Sequence, residues 1–152
     1  MSLNWLNSFS FLIALNFSVS VYANLIRPCE KKPNCVSSKD QRKDFFIEPI
    51  DIIGSEEEAK KRLKSIVKGL PRTNIVEESE SYIHSEFTSS LFRFVDDVEF
   101  LFDMEDQKIH VRSASRTGYG DWGVNRKRVE QIRSLFSSEK KLYRSSREDE
   151  AK

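Results

Sequence analysis

The side chains best suited to chemistry lie between Arg112 and Arg133. There Arg112, Arg116, Arg126, Lys127, Arg128 and Arg133 meet only Asp121 and Glu130, a local charge of +4 inside a chain whose total is +1. Within this stretch Gly118, Gly120 and Gly123 bracket Tyr119, Asp121 and Trp122. Glycines let a backbone approach a partner closely, and a glycine-rich loop entering a helix amino terminus offers unpaired N–H groups to an anion. Neighbouring guanidinium groups add two-pronged, charge-assisted hydrogen bonds. Arg112, Arg116, Arg126 and Arg128, with Tyr119 and Trp122, are therefore candidates for binding a small anionic molecule or a lipid headgroup. The glycine spacing matches no phosphate-binding loop.

The same residues admit a purely structural use. In FVDDVEFLFD, Phe94 to Asp103, alternation puts Val98, Phe100, Phe102 and Asp96 on one face and Asp97 and Glu99 on the other. On the next strand Ile109, Val111, Ser113 and Ser115 share a side, opposite His110, Arg112, Ala114 and Arg116. Any hairpin that keeps core against core pairs odd numbers with even ones, so Asp97 and Glu99 must face Arg112 or Arg116. In this reading Asp121 and Asn125 cap the final helix, Tyr119 and Trp122 plug the end of the core, and Asp121 neutralises Arg126.

An enzyme would need Asp97, Glu99 or Asp121 as general base and an arginine to stabilise an oxyanion or phosphoryl group, yet no carboxylate pair is singled out. His84 and His110 read as strand-surface residues, and Ser113 and Ser115 lack the Gly-x-Ser-x-Gly turn that exposes a nucleophile. No cofactor motif is present, and two cysteines with two histidines on separate strands give no metal-ligand spacing. A net charge of +1 provides no global field for nucleic acid.

These residues must be carried by a small set of elements. FFIEPIDII, Phe45 to Ile53, reads as a first strand, with Pro49 forcing an edge or a bulge. Ser55 and Glu58 form a capping box for a helix whose apolar stripe is Ala59, Leu63, Ile66, Val67 and Leu70, ending at Gly69 before Pro71. Ile75-Val76 and Tyr82 to Thr88 form a hairpin around Ser79 to Ser81, and Leu91 to Asp103 with Lys108 to Ser115 form a second. A last helix spans about Val124 to Phe136, with Val129, Ile132, Leu135 and Phe136 on one face. Glu139 to Lys152, nine charged residues in fourteen, reads as a solvated, disordered tail. Strand, helix, several strands, helix, without βαβ alternation, predicts an α+β fold: a mostly antiparallel sheet of about 4–6 strands with two helices packed on one face.

The amino terminus differs in kind. Met1 to Ala23 contains no Asp, Glu, Lys or Arg, and its apolar run Phe9 to Leu15 leads to Val21-Tyr22-Ala23, the small-residue pattern of a signal-peptide cut. The expectation is a signal peptide over 1–23 and a mature periplasmic or secreted protein from Asn24; an uncleaved membrane anchor is the alternative. Cys29 and Cys35 follow directly, and in an exported chain they most simply join, stapling residues 24–44 ahead of an α+β domain over 45–138. Two unpaired thiols are the other possibility.

Three blocks carry a resemblance: PNCVSS at Pro33 to Ser38, FVDDVEFLFD at Phe94 to Asp103, and RSASRTGYGDWGVNRKRVE at Arg112 to Glu130. They resemble the signature blocks of the family catalogued as domain of unknown function 1499, over roughly Cys29 to Phe136. The resemblance implies one compact domain and no assigned activity, cofactor or catalytic residue. It adds weight to Cys29, Asp97, Arg112, Arg116, Asp121, Asn125 and Arg126 without saying whether their use is structural or functional.

Overall fold

The computed structural model describes residues 26–150, with side chains as far as Ser138. The expected signal peptide over 1–23 lies outside the described residues. The chain runs β1 (Cys35–Ser37), β2 (Ile50–Asp51), α1 (Glu56–Gly69), β3 (Thr73–Glu78), β4 (Tyr82–Thr88), β5 (Val95–Asp103), β6 (Lys108–Ser115) and α2 (Val124–Glu150). Six strands form one antiparallel sheet in the order β1-β6-β5-β4-β3, with β2 also on β6. This is the α+β fold that the sequence pattern predicts.

Ser55 starts α1 as expected: its hydroxyl accepts from Glu58 N, and the Glu58 carboxylate accepts from Ser55 N at 3.1 Å. Gly54 precedes it at φ +94°, where a side chain would both strain the backbone and collide with that carboxylate. Ala59, Leu63, Ile66 and Val67 are buried against Ile83, Val98, Phe100 and Val111 of the sheet. Val129, Ile132 and Phe136 of α2 join the same cluster, so both helices cover one face. Leu135, expected on that stripe, is 38 % exposed; the buried positions step by three and four residues, and Leu135 falls one residue off the step.

Three other expectations need correction. The first strand shrinks to Ile50–Asp51, plus a single bridge from Phe46 to Ser37. Pro49 has no N–H to give, and the edge of β6 is already occupied: Cys35–Ser37, expected only as a stapled appendage, pairs with Arg112, Ser113 and Ala114. Between β1 and β2, Ser38 fills the gap, donating its N–H to Val111 O and accepting from Val111 N with its hydroxyl. β5 begins at Val95 rather than Leu91, because Ser89 closes a tight loop on Phe94 through both main-chain groups of that residue. Finally, α2 continues to Glu150, so the segment read as a disordered tail is helical as far as Glu150. It holds no Gly or Pro between Glu139 and Glu150, and strong helix formers prolong a helix already fixed by its buried first turns.

Candidate functional site

The β5–β6 register decides where the charged residues go. Asp97 pairs with Ala114 and Glu99 with Arg112, odd against even, as the two hydrophobic faces require. One face of the sheet is therefore apolar and packed by helices, and the opposite face carries Tyr82, His84, Glu86, Asp97, Glu99 and Arg112.

On that polar face Arg112 donates to Glu99 at 2.7 Å, and Glu99 also accepts from the Tyr82 hydroxyl at 3.1 Å. Burial, followed by the Glu99 charge, pushes the Tyr82 phenol up, so it remains a donor. Arg116 holds Asp97 with two hydrogen bonds of 2.7 and 2.9 Å and reaches Glu86 as well. His84 Nε2 lies 2.7 Å from the same Asp97 carboxylate. Burial raises the Asp97 carboxyl, but Arg116 and His84 outweigh it and keep the group below the usual carboxylate range. A carboxylate so stabilised is a poor proton acceptor.

The amino-terminal segment crosses this face. Ile26 packs on Tyr82 and Leu101, and Cys29 is joined to Cys35, with both cysteines against Ala114. A second clamp was not foreseen from the sequence. Asp40, 3 % exposed, accepts from Cys29 N and from Arg42, and Arg42 returns a hydrogen bond to Cys29 O at 2.6 Å while lying over the Phe45 ring. The Arg42 hydrogen bond holds the Asp40 carboxyl far below the usual carboxylate range.

Between this segment and the strands lies a polar hollow of about 200 Å³, lined by Arg27, Lys32, Asn34, Asp97, Arg112 and Arg116 among others. The Arg112 side chain is only 9 % exposed, and its Nε is buried with no hydrogen-bond partner. Arg27 and Lys32 are exposed at the rim.

The remaining candidates are divided. Arg128 lies beneath the other face, on Asp96 at 2.5 Å and over the Phe87 ring, with both charged side chains nearly buried. Arg126 donates to Asp44 O rather than to Asp121, whose carboxylate instead accepts from Gly123 N and Asn125 N, both at 2.9 Å. Asp121 is thus the cap, and Asn125 is not. Asn125 is fully buried, continuing the Val129, Ile132, Phe136 stripe by one more turn. Its amide donates to Asn34 O and Ser115 Oγ at 3.0 Å each, and its oxygen accepts from Ser113 Oγ and Arg128 at 2.5 and 2.7 Å, so all four hydrogen-bonding positions are used. Asn34 in turn donates to Gly118 O at 2.9 Å, tying the glycine loop to β1.

Tyr119 and Trp122 do not plug the core; they are 75 % and 96 % exposed. A polar tie at Asn34 and Asn125 already closes that end of the molecule, which leaves the aromatics outside. His110 is also corrected, from the surface to 8 % exposed. Its Nδ1 is 3.2 Å from Ser38 Oγ and its Nε2 is 3.7 Å from Asp103. The serine, histidine, acid order suggests a catalytic triad, but 3.7 Å exceeds a hydrogen bond and the buried Ser38 hydroxyl is engaged by Val111 N.

Among the described residues, no group of three His, Cys, Asp or Glu side chains could hold a metal ion, and no helix is long and apolar enough to cross a membrane. Asn34, Arg27, Lys32 and Asp40 were missed as contributors, although PNCVSS, one of the signature blocks, contains Asn34. No curated protein and no solved structure matches the chain. One family model does, over residues 25–136, and the chain therefore belongs to the family described as Protein of unknown function (DUF1499).

Proposed function

We propose that the protein is an exported binding domain that takes a small anion, a carboxylate or phosphate group, in the hollow on the polar face. The observation that carries this reading is Arg112, a nearly buried guanidinium lining the hollow whose Nε has no acceptor in the protein. An unsatisfied buried donor costs about 1–3 kcal/mol, and an incoming anion would remove that cost. Arg27 and Lys32 add two exposed cations at the rim. The Cys29–Cys35 disulfide supports an oxidising compartment. A hydrolase reading fits less well, since Asp97, Glu99 and Asp121 are each engaged by two or more partners.

Thermal unfolding over a panel of inorganic phosphate, glycerol 3-phosphate, sulfate and acetate tests it. Wild-type protein should be stabilised progressively as the anion concentration rises. Glycerol 3-phosphate separates a lipid-headgroup preference from a free-phosphate one. Arg27→Ser with Lys32→Ser should weaken the response while leaving the ligand-free midpoint unchanged, because both side chains are exposed. A second reading, an internal network that only holds the strands together, is favoured by the double capping of Arg116. Wild-type protein that ignores every anion would establish that reading instead.

A further inference from the structure

We propose that the end of the sheet where β4 passes to β5 and β6 passes to α2 docks on an anionic lipid bilayer. Nine large apolar side chains are exposed among the described residues; five of them, Leu91, Phe92, Phe94, Tyr119 and Trp122, fall in these two connections, and a sixth, Val124, opens α2 beside them. The connections are neighbours: Thr88 pairs with Val95, Arg116 N donates to Val95 O, and Ser89, Ser90, Val124 and Lys127 line a shared groove. A concentration of this kind on a small domain marks an interaction surface.

The backbone holds these side chains outward. Trp122 has φ +54° and Arg93 φ +56°, a left-handed conformation costing a bulky residue about 1–2 kcal/mol. Intramolecular packing does not repay it at Trp122, whose side chain is almost wholly in water. The Asp121 carboxylate fixes one turn through Gly123 N and Asn125 N, and Ser89 closes the other on Phe94, whose ring stacks on Phe92 at 5.5 Å. Both loops are thus pre-shaped, and the aromatics stand out from loop tips, where a bilayer reaches them more easily than a concave partner.

Charge selects the bilayer's chemistry. Residues 88–94 and 116–128 contain five cationic side chains; Arg116 and Arg128 are neutralised by Asp97, Glu86 and Asp96, which leaves Arg93, Arg126 and Lys127 against the capping Asp121. Arg93 and Lys127 make no ion pair among the described residues and stay available to headgroups. The opposite end of the sheet is acidic. Residues 77–80 and 103–106 there contain six carboxylates and no Lys or Arg; Lys60 and Lys64 of α1 hold Glu78, and the other five carboxylates keep the end negative. A negative surface therefore attracts one end and repels the other, orienting the domain with its aromatics at headgroup level.

The sequence contains two tryptophans, Trp5 and Trp122, so the full chain carrying Trp5→Phe reports on Trp122 alone. On phosphatidylglycerol vesicles its emission should shift to the blue and be quenched by lipids brominated in the acyl chain. On phosphatidylcholine vesicles the response should be far weaker. Leu91→Ser with Phe92→Ser should weaken this Trp122-reported association at least tenfold, with an unchanged unfolding midpoint because both residues are exposed. Arg93→Glu with Lys127→Glu should abolish the preference for anionic lipid. An unmoved Trp122 in protein that still sediments with vesicles would overturn the proposal, because the amino-terminal segment alone would then be the anchor. A concentration-dependent shift without lipid would assign the surface to a second copy and overturn it too. Leu91, Phe92 and Trp122 lie outside the anion hollow, so the two proposals fail independently.

Discussion

Phe100 and Leu101 are neighbours in β5, but Phe100 enters an apolar layer closed by two helices, whereas Leu101 joins a face of ion pairs covered by one stapled segment. The apolar face is held by the burial of eighteen residues in one cluster. The polar face has only Ile26, Tyr82 and Leu101 as one small cluster, and the disulfide with Ala114 as another. The difference teaches where stability and recognition reside. Apolar burial supplies the free energy of folding and has no directionality. The Arg116 pairs of the polar face are partly exposed and contribute little to stability, the Arg112–Glu99 pair is nearly buried, and both keep their directionality for a ligand.

The strongest way to break this comparison is to truncate both neighbours. Phe100→Ala should cost about 3–5 kcal/mol in urea unfolding, and Leu101→Ala only about 2 kcal/mol, because the thin cover over Leu101 can collapse into the space. Equal losses would mean that the stapled segment is as much a core layer as the helices are.

Asn125 sits where the helix, β6 and the chain entering β1 are tied together. Asn125→Ala removes an amide with four satisfied positions and strands Ser113 and Asn34 O in a buried setting, so a loss of about 2–3 kcal/mol is expected. Hydrogen exchange sharpens the result. Protection should fall at Ser115, whose N–H donates to Asn34 O, while the centre of β5 keeps its protection. Loss of protection throughout would make the tie part of the global core.

Much of this division was legible in the sequence. The capping box, the α1 stripe and the odd-even pairing of β5 with β6 depend on nearest-neighbour geometry, which a sequence records directly. β1 was not legible: three residues without alternation become a strand only because β6 presents an open edge. Asn125 occupies the helical stripe at the spacing of a core residue, and polarity made it read as a cap. Trp122 read as a plug because an aromatic beside glycines gives no sign of which way it points. The +4 block likewise looked like one site, yet Arg128 turns beneath one face of the sheet, Arg112 belongs to the other, and Arg126 reaches Asp44. Linear proximity of charges carries no information about the sheet that separates them.

The smallest effect expected is a pH slope, and it follows from His110, which adjoins Val111 of the apolar core but faces Ser38, Lys39 and Asp103. Burial, followed by the charge of Lys39, holds its imidazole below the ordinary value of 6.5. The unfolded chain then binds more protons than the folded one as pH drops below about 6.5, so the neutral histidine's contribution is complete above that pH and declines under it. Asp97, held below its ordinary 3.8, acts in the same direction in a separate and more acidic window, where protonation breaks its contacts with Arg116 and His84. Urea midpoints measured between pH 7.5 and 5 should therefore fall in wild-type protein, and His110→Asn, which keeps a polar partner for Ser38 but cannot titrate, should flatten that portion alone. A slope that survives the substitution would move the titration to another group and leave His110 a neutral spacer between the two faces.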